Sequence, residues 1–188
     1  MKKATLIIII FISFYLKAQE TEPKINWMSF TEALTAQKES KGIGTKKIMM
    51  DIYTNWCGPC KMMDKQTFKN KDLINYVNTN FYAVKFNGEG GGTIKYDEQT
   101  FKNPRYDPKK KFSRNSAHQL TDYLQIKGFP SIVFFDVDGS LIAPLPGYRT
   151  AKQLELFLKL FKTNKYKEIK SEAAFTKYQK DFVYEFKD

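Results

Sequence analysis

The stretch KKIMMDIYTNWCGPCKMM, residues 46–63, holds the only two cysteines of a 188-residue chain, Cys57 and Cys60. Residues 47–54 form a run of apolar and aromatic side chains suited to a buried strand, and residues 61–67 read as a helix. WCGPC therefore falls at a strand-to-helix junction. A thiol at the start of a helix faces unpaired backbone N–H groups and the positive end of the helix dipole, which stabilise thiolate over thiol. Cys57 is so placed and is the candidate nucleophile. Cys60, three residues on, lies on the same face of the first turn, within reach of a short disulfide.

Upstream of this junction, a short edge strand at residues 25–27 precedes Ser29-Phe30-Thr31-Glu32, which has the capping-box form. It predicts a helix carrying Phe30, Ala33, Leu34 and Gln37 and ending by Gly42. Downstream, Asn70 caps a second helix through Leu73, Ile74, Tyr76 and Val77, and FYAVKF at residues 81–86 is a strand. Residues 87–115 break the pattern with Gly88, Gly90, Gly91 and Gly92, Pro104 and Pro108, and the basic cluster Lys109, Lys110, Lys111 and Arg114. A connection of that length marks either an ordered functional loop or a mobile insertion. The pattern resumes with a helix at residues 116–124, a strand at 132–136, an Asp138-Gly139 hairpin signal and a return strand at 141–145. Thr150 then caps a helix with Leu154, Phe157, Leu158 and Phe161 on one face, and residues 166–186 form a charged, aromatic-rich tail with room for one more helix. The order predicts an α/β sheet, a parallel unit followed by an antiparallel hairpin, with helices on both faces.

Composition bounds the chemistry. A hydrophobic content of 42% with 15% aromatic residues is ample for a packed core, so disorder is not the default. Met1-Lys2-Lys3, the apolar run at residues 4–16 and Lys17-Ala18-Gln19 read as an export signal cut after Ala18. The run is shorter than the roughly 20 residues that span a bilayer, so no stable membrane anchor is expected after its removal. That removal takes Lys2, Lys3 and Lys17 and leaves 28 basic against 20 acidic residues, a net +8 that favours acidic partners. Residues 109–111 read first as a solvated loop, and nucleic-acid binding is poorly supported because no aromatics interleave with the basic residues. A structural zinc site wants four Cys or His ligands, and the chain offers two cysteines and His118, which sits near a helix start with a surface or capping role. No metal and no cofactor are expected. A bridge across two intervening residues closes too short a loop to constrain the unfolded chain, so redox chemistry is its expected use.

Thiol–disulfide exchange needs an ionised attacking thiol, a resolving thiol and a surface that holds the substrate's sulfur in line. Asp51, six residues before Cys57, stands among Ile48, Met49, Met50, Ile52 and Tyr53 and is expected to be buried. A buried carboxylate tends to a raised pKa, which suits Asp51 to take the proton from Cys60 as that thiol attacks. Lys85 lies in a similarly apolar strand, and if the two strands are neighbours it faces Asp51. Gly128-Phe129-Pro130-Ser131 places a proline at the start of the strand IVFF, where a cis bond would be a functional device. Trp56 reads as part of an apolar rim around the cysteines.

Together, WCGPCK after an apolar strand, the Asp six residues earlier, the Lys in the next strand, GFPS before IVFFD, and the DG hairpin followed by Gly147 resemble the thioredoxin superfamily over residues 25–161. Residues 26–34 and 46–86 are similar to exported thioredoxin-like proteins and to the periplasmic C-terminal domain of transmembrane disulfide-reductase conductors. The resemblance implies a thioredoxin-like fold, a mixed central sheet with helices on both faces. The implied organisation is a signal peptide at 1–18, a domain at 25–161 with an insertion at 87–115, and a C-terminal extension at 162–188. The implied activity is that of a periplasmic or secreted protein-disulfide reductase. Cys57 would attack, Cys60 resolve, Asp51 and Lys85 move the proton, and Trp56, Gly58, Pro59, Phe129 and Pro130 meet the substrate. The implied partners are a disulfide-containing protein substrate and a membrane or thiol-protein electron donor. Gly58-Pro59 is the dipeptide of thioredoxin proper and points to reduction; a disulfide oxidase or isomerase, and a thioredoxin-fold binding module with incidental cysteines, are the alternatives. Lys65 stands where thioredoxins carry a helix-kinking proline, so that helix should run straighter or break near Thr67. Phe129 is larger than the residue usual before the proline.

Overall fold

The computed structural model describes residues 22–40 and 44–187; the export signal expected at 1–18 lies outside them. The strand predicted at residues 47–54 is β2 (Lys47–Tyr53), and it forms the middle of a five-stranded sheet. On one side it pairs in parallel with β3 (Phe81–Asn87), which pairs in parallel with the short edge strand β1 (Trp27–Met28). On the other side it runs antiparallel to β6 (Ser131–Phe135), followed by the antiparallel edge strand β7 (Leu141–Pro146).

A central strand must bury both faces, which is why β2 reads as a continuous apolar run. Ile48, Met50 and Ile52 point toward α1 (Phe30–Glu39) and α4 (Gln119–Tyr123), packing with Phe30, Ala33, Leu120 and Leu124. Met49 points to the opposite layer, built from α2 (Gly58–Lys65), α3 (Lys71–Asn80) and α5 (Ala151–Lys162), among Leu73, Ile74, Val77, Leu154 and Leu158. The two-residue period sends Asp51 to this second face, and on β3 it sends Lys85 there too.

The helix starts follow their cap residues. Glu32 N–H donates to Ser29 Oγ and Ser29 N–H to a Glu32 carboxylate oxygen, and Thr150 and Gln153 repeat this reciprocal pair at α5. Asn70 Oδ1 accepts from Leu73 N–H at α3. With lysine at position 65, α2 stops there and the chain turns through a single 3-10 turn at Thr67–Lys69, pinned where Thr67 Oγ1 donates to the Arg149 carbonyl.

Two sequence expectations need correction. The helix expected at 116–124 is confined to Gln119–Tyr123, because His118 occupies the N-cap and its Nδ1 accepts from Leu120 N–H. His118 is also fully buried rather than at the surface: its Nε2 meets the Gly92 carbonyl at 3.0 Å and its ring packs edge-on against Phe86. Because Nδ1 is the acceptor, the ring proton sits on Nε2 and is donated to Gly92, and burial holds the imidazole below its ordinary pKa.

The unpatterned residues 87–115 contain a second, two-stranded sheet, β4 (Ile94–Tyr96) with β5 (Gln99–Phe101), and a 3-10 turn at Pro108–Lys110. After α5 the chain forms one more helix, α6 (Glu172–Asp181), and then returns across α3 and α5. There Phe186 enters the core, and the buried Glu155 carboxylate accepts the backbone N–H groups of Glu185 and Phe186.

Candidate active site

Cys57 and Cys60 form a disulfide at the point where β2 gives way to α2, with a Cα–Cα distance of 5.3 Å. Cys57 is the N-cap of α2, one step earlier than the first turn, and its Sγ accepts from Cys60 N–H at 3.1 Å. Both cysteines are buried, whereas Gly58 and Pro59 between them are exposed. A Cβ at Gly58 would meet nothing within 4 Å, so the outward face of the motif is open. The pair can open to a dithiol and close again, which is two-electron chemistry.

Six residues before Cys57, register pairs Asp51 with Lys85 across β2 and β3. Lys85 Nζ lies 2.7 Å from Asp51 Oδ2, while Asp51 Oδ1 is buried with no hydrogen-bond partner. Removal from water raises the Asp51 pKa to about 6, only partly offset by Lys85. Burial works against the charged Lys85 ammonium, but its carboxylate neighbours outweigh this and hold it above its ordinary pKa. The ammonium is also enclosed by the rings of Trp27, Tyr53 and Phe68, each 5.0 Å away at its centroid.

The second carboxylate on Lys85 is Asp64 of α2, a residue the sequence reading did not single out. Asp64 lies four residues after Cys60, hence on the same helix face, and that spacing was the available signal. It is more exposed than Asp51 and, with Cys60, Tyr53, Thr54 and Lys61, lines a cavity of about 290 Å³.

Phe129 and Pro130 stand at the same end of the sheet, before Ser131, which pairs with Ile52. Their peptide bond is cis, and the Pro130 carbonyl accepts from Gly147 N–H at 2.9 Å. The large Phe129 ring fits because of what it meets. A Cβ on Gly88 would lie 2.5 Å from Phe129 Cε1, so any side chain there would force the Phe129 ring to move. Trp56 packs edge-on against Phe129 with centroids 6.3 Å apart.

Trp56 is half-buried rather than a free rim, because the segment after β3 wraps it. Its Nε1–H donates to Glu89 Oε2 at 2.7 Å, the same oxygen accepts from Asn115 N–H, and the Arg114 guanidinium lies 4.9 Å above the ring. The neighbouring Asn55 amide donates to the Lys111 carbonyl at 2.8 Å. Glu89 and Phe112 were not identified from sequence, and Arg114 was read there only as part of a basic cluster; all three reach the motif through the path of an irregular segment, which no periodicity encodes.

Comparison with known proteins agrees with this geometry. A family model for the thioredoxin-like domain matches residues 34–162. The thiol:disulfide interchange protein DsbD of Haemophilus ducreyi is 26% identical over 143 residues, 75% of this chain and 21% of that protein. DsbD of Klebsiella pneumoniae is 29% identical over 111 residues, 59% of this chain and 14% of its own length. The chain thus spans about a fifth or less of these curated relatives. Among solved structures, a thioredoxin-fold protein from Helicobacter pylori superposes with a TM-score of 0.55 at 21% identity, covering 80% of this chain and 93% of that one. A thioredoxin from Thermus thermophilus gives 0.51 at 15% identity, covering 73% and 87%. At such identities these structures bear on the fold alone. With more than half its length matched by one family model and every strand of the central sheet in place, this chain belongs to the thioredoxin-like domain family.

Proposed function

We propose that the protein is an exported reductant of protein disulfides, one direction of the thiol–disulfide exchange that its fold and cysteine pair support. The observation that carries the proposal is a closable Cys57–Cys60 pair at the start of α2, the helix whose Asp64 shares Lys85 with a buried carboxylate that has one free oxygen. In the reduced state the Cys57 thiolate attacks one sulfur of a substrate disulfide. The substrate S–S bond breaks, a Cys57–substrate disulfide forms, and the departing substrate sulfur takes up a proton. Cys60 then loses its proton to Asp51 and attacks Cys57 Sγ. The Cys57–Cys60 bond forms, the second substrate thiol leaves, and two electrons have moved from protein to substrate. Asp51, poised near a pKa of about 6, accepts that proton near neutrality, and Lys85 holds the carboxylate in place.

On this reading Trp56, Gly58, Pro59, Phe129 and Pro130 form the surface that receives the substrate, and residues 25–161 carry the activity, with 87–115 inserted and 162–188 appended. A reductant outside the cytoplasm stays oxidised unless it is recharged, so a membrane or thiol-protein electron donor completes the cycle. The similarity to DsbD and the apolar leader after Met1-Lys2-Lys3 support a periplasmic site of action. The deciding measurement is the reduction potential of the Cys57–Cys60 couple in defined thiol–disulfide buffers. A value near about −270 mV is expected, and one between about −180 and −120 mV would reverse the direction to oxidation or isomerisation.

A further inference from the structure

Residues 105–114 bring a dense positive field to the mouth of the site. Within this segment Arg105, Lys109, Lys110, Lys111 and Arg114 stand against one acid, Asp107, whose carboxylate caps the turn at Lys109 N–H; of the neighbouring acids, Glu89 accepts from Trp56 and Asn115, and Asp64 pairs with Lys85. None of the five cations forms an ion pair among the described residues. Their position is fixed by the contacts of Asn55 with Lys111 and of Trp56 with Glu89 and Arg114. Between them Phe112 is 76% exposed, the most exposed large apolar side chain described, and it forms part of the wall of the cavity that reaches Cys60. An aromatic left in water at the cavity that reaches Cys60, with the Lys111 ammonium 5.5 Å from its ring centroid and further cations on either side of it in the chain, is a surface without its complement.

We propose that residues 105–114 are a docking flap that selects cystine-bearing segments flanked by acidic residues, with Phe112 covering an apolar side chain next to the partner's cystine. The inference rests on the reductant reading and names its substrate class. Charge complementarity specifies the occupant: unpaired lysines steer a negatively charged segment toward the motif, and the flap confines that segment to the cavity side of Cys60. A flat anionic surface is disfavoured, because Phe112 borders a concave mouth that it shares with Cys60.

The test uses the pre-reduced protein and two synthetic cystine peptides of one sequence, one flanked by glutamates and the other by lysines, with thiol release giving second-order rate constants. The acidic peptide is expected to react about tenfold faster at low ionic strength, with the ratio collapsing at about 0.5 M salt. In the K109E/K110E/K111E variant the ratio falls to one or inverts. In K162E/K165E/K170E, at the opposite end of the sheet where Tyr166 meets Asp136, it is retained. Phe112→Ser slows both peptides about fivefold with the ratio intact. Equal rates for the two peptides, or a ratio that survives the flap reversal, overturn the flap. Loss of binding to anionic phosphatidylglycerol vesicles in the flap variant with no change in the peptide ratio also overturns it, in favour of a lipid surface. Neutral hydroxyethyl disulfide separates the two levels: a wild-type protein that fails to reduce it refutes the reductant reading, whereas one that reduces it yet ignores peptide charge refutes only the flap.

Discussion

Asp51→Asn should make the protein more stable at neutral and higher pH, and by an amount the structure sets. The Asp51 carboxyl is 1% exposed, shares Lys85 with Asp64 and leaves one oxygen unpaired. Its pKa rises from the ordinary 3.8 to about 6 through loss of water, less the offset from Lys85. At about 1.4 kcal/mol per pH unit that gap amounts to about 3 kcal/mol. Because the folded-state pKa is the higher one, the folded protein keeps this proton longer than the unfolded chain. The contribution is therefore fully present below 3.8 and is lost as pH rises through about 6, when a buried carboxylate must ionise. Asparagine cannot ionise, so the variant's advantage over wild type should grow by about 3 kcal/mol between about pH 3.5 and pH 8. Urea unfolding of the oxidised protein at a series of pH values measures it, given unchanged m values. A pH-independent difference would refute the argument, and so would a wild type that gains on the variant with rising pH, which would mean that Lys85 outweighs burial. If Asp51 accepts the Cys60 proton as proposed, the same variant should also lose the limb of the exchange-rate profile near pH 6.

Asp136→Asn should behave with the opposite sign. Burial pushes the Asp136 pKa up, but Lys47, Lys167 and Tyr166 together hold it well below the carboxylate range, so its stabilisation is present above 3.8 and fades on acidification. The variant should lose about 3 kcal/mol near neutrality by urea unfolding, with the deficit shrinking toward about pH 3, because it strands the buried Lys47. Gly88→Ala should cost about 1–3 kcal/mol through the clash with Phe129, and Phe129→Ala in the same chain should recover part of it in a double-mutant cycle. Glu155→Ala should cost about 2–3 kcal/mol in unfolding experiments and speed amide exchange at Glu185 and Phe186, whose N–H groups lose their acceptor. If those amides exchange at unchanged rates, the carboxylate is not what holds the final segment.

The central sheet was legible because its signals are local. The apolar run of β2, the reciprocal caps at Ser29 and Thr150 and the Asp138-Gly139 turn each specify backbone geometry within a few residues. Asp51 and Lys85 were legible for a related reason: a charge in a strand buried on both faces has to find a partner on the neighbouring strand. The β4–β5 hairpin escaped notice because its turn is made by Asp97 and Glu98, both at positive φ, where the usual Asn-Gly signal is missing. His118 does cap its helix, one of the two roles expected of it, but it is buried and not at the surface, because the cap lies under the glycine-rich crossing and the ring supplies that crossing with a hydrogen bond. The end of the chain carried no pattern at all, since Phe186 is anchored by a carboxylate thirty-one residues earlier.

Asp51 and Asp136 show what separates a structural carboxylate from one available for chemistry. Asp51 lies in β2 and pairs with Lys85, whereas Asp136 directly follows β6 and pairs with Lys47 at the start of β2. Both are buried, so burial alone does not tell them apart. Asp136 receives Lys47, Lys167, the Tyr166 hydroxyl and Val137 N–H, and four donors leave it no capacity to take a proton. Asp51 receives one ammonium that it shares with Asp64, and its second oxygen has no donor. The saturated carboxylate stays ionised and braces the fold, while the undersupplied one is driven toward the neutral acid and can exchange a proton near neutral pH. The number of donors each receives separates the two carboxylates, and under the proposed role of Asp51 adding a donor to its Oδ1 should lower its pKa and blunt exchange without touching either cysteine.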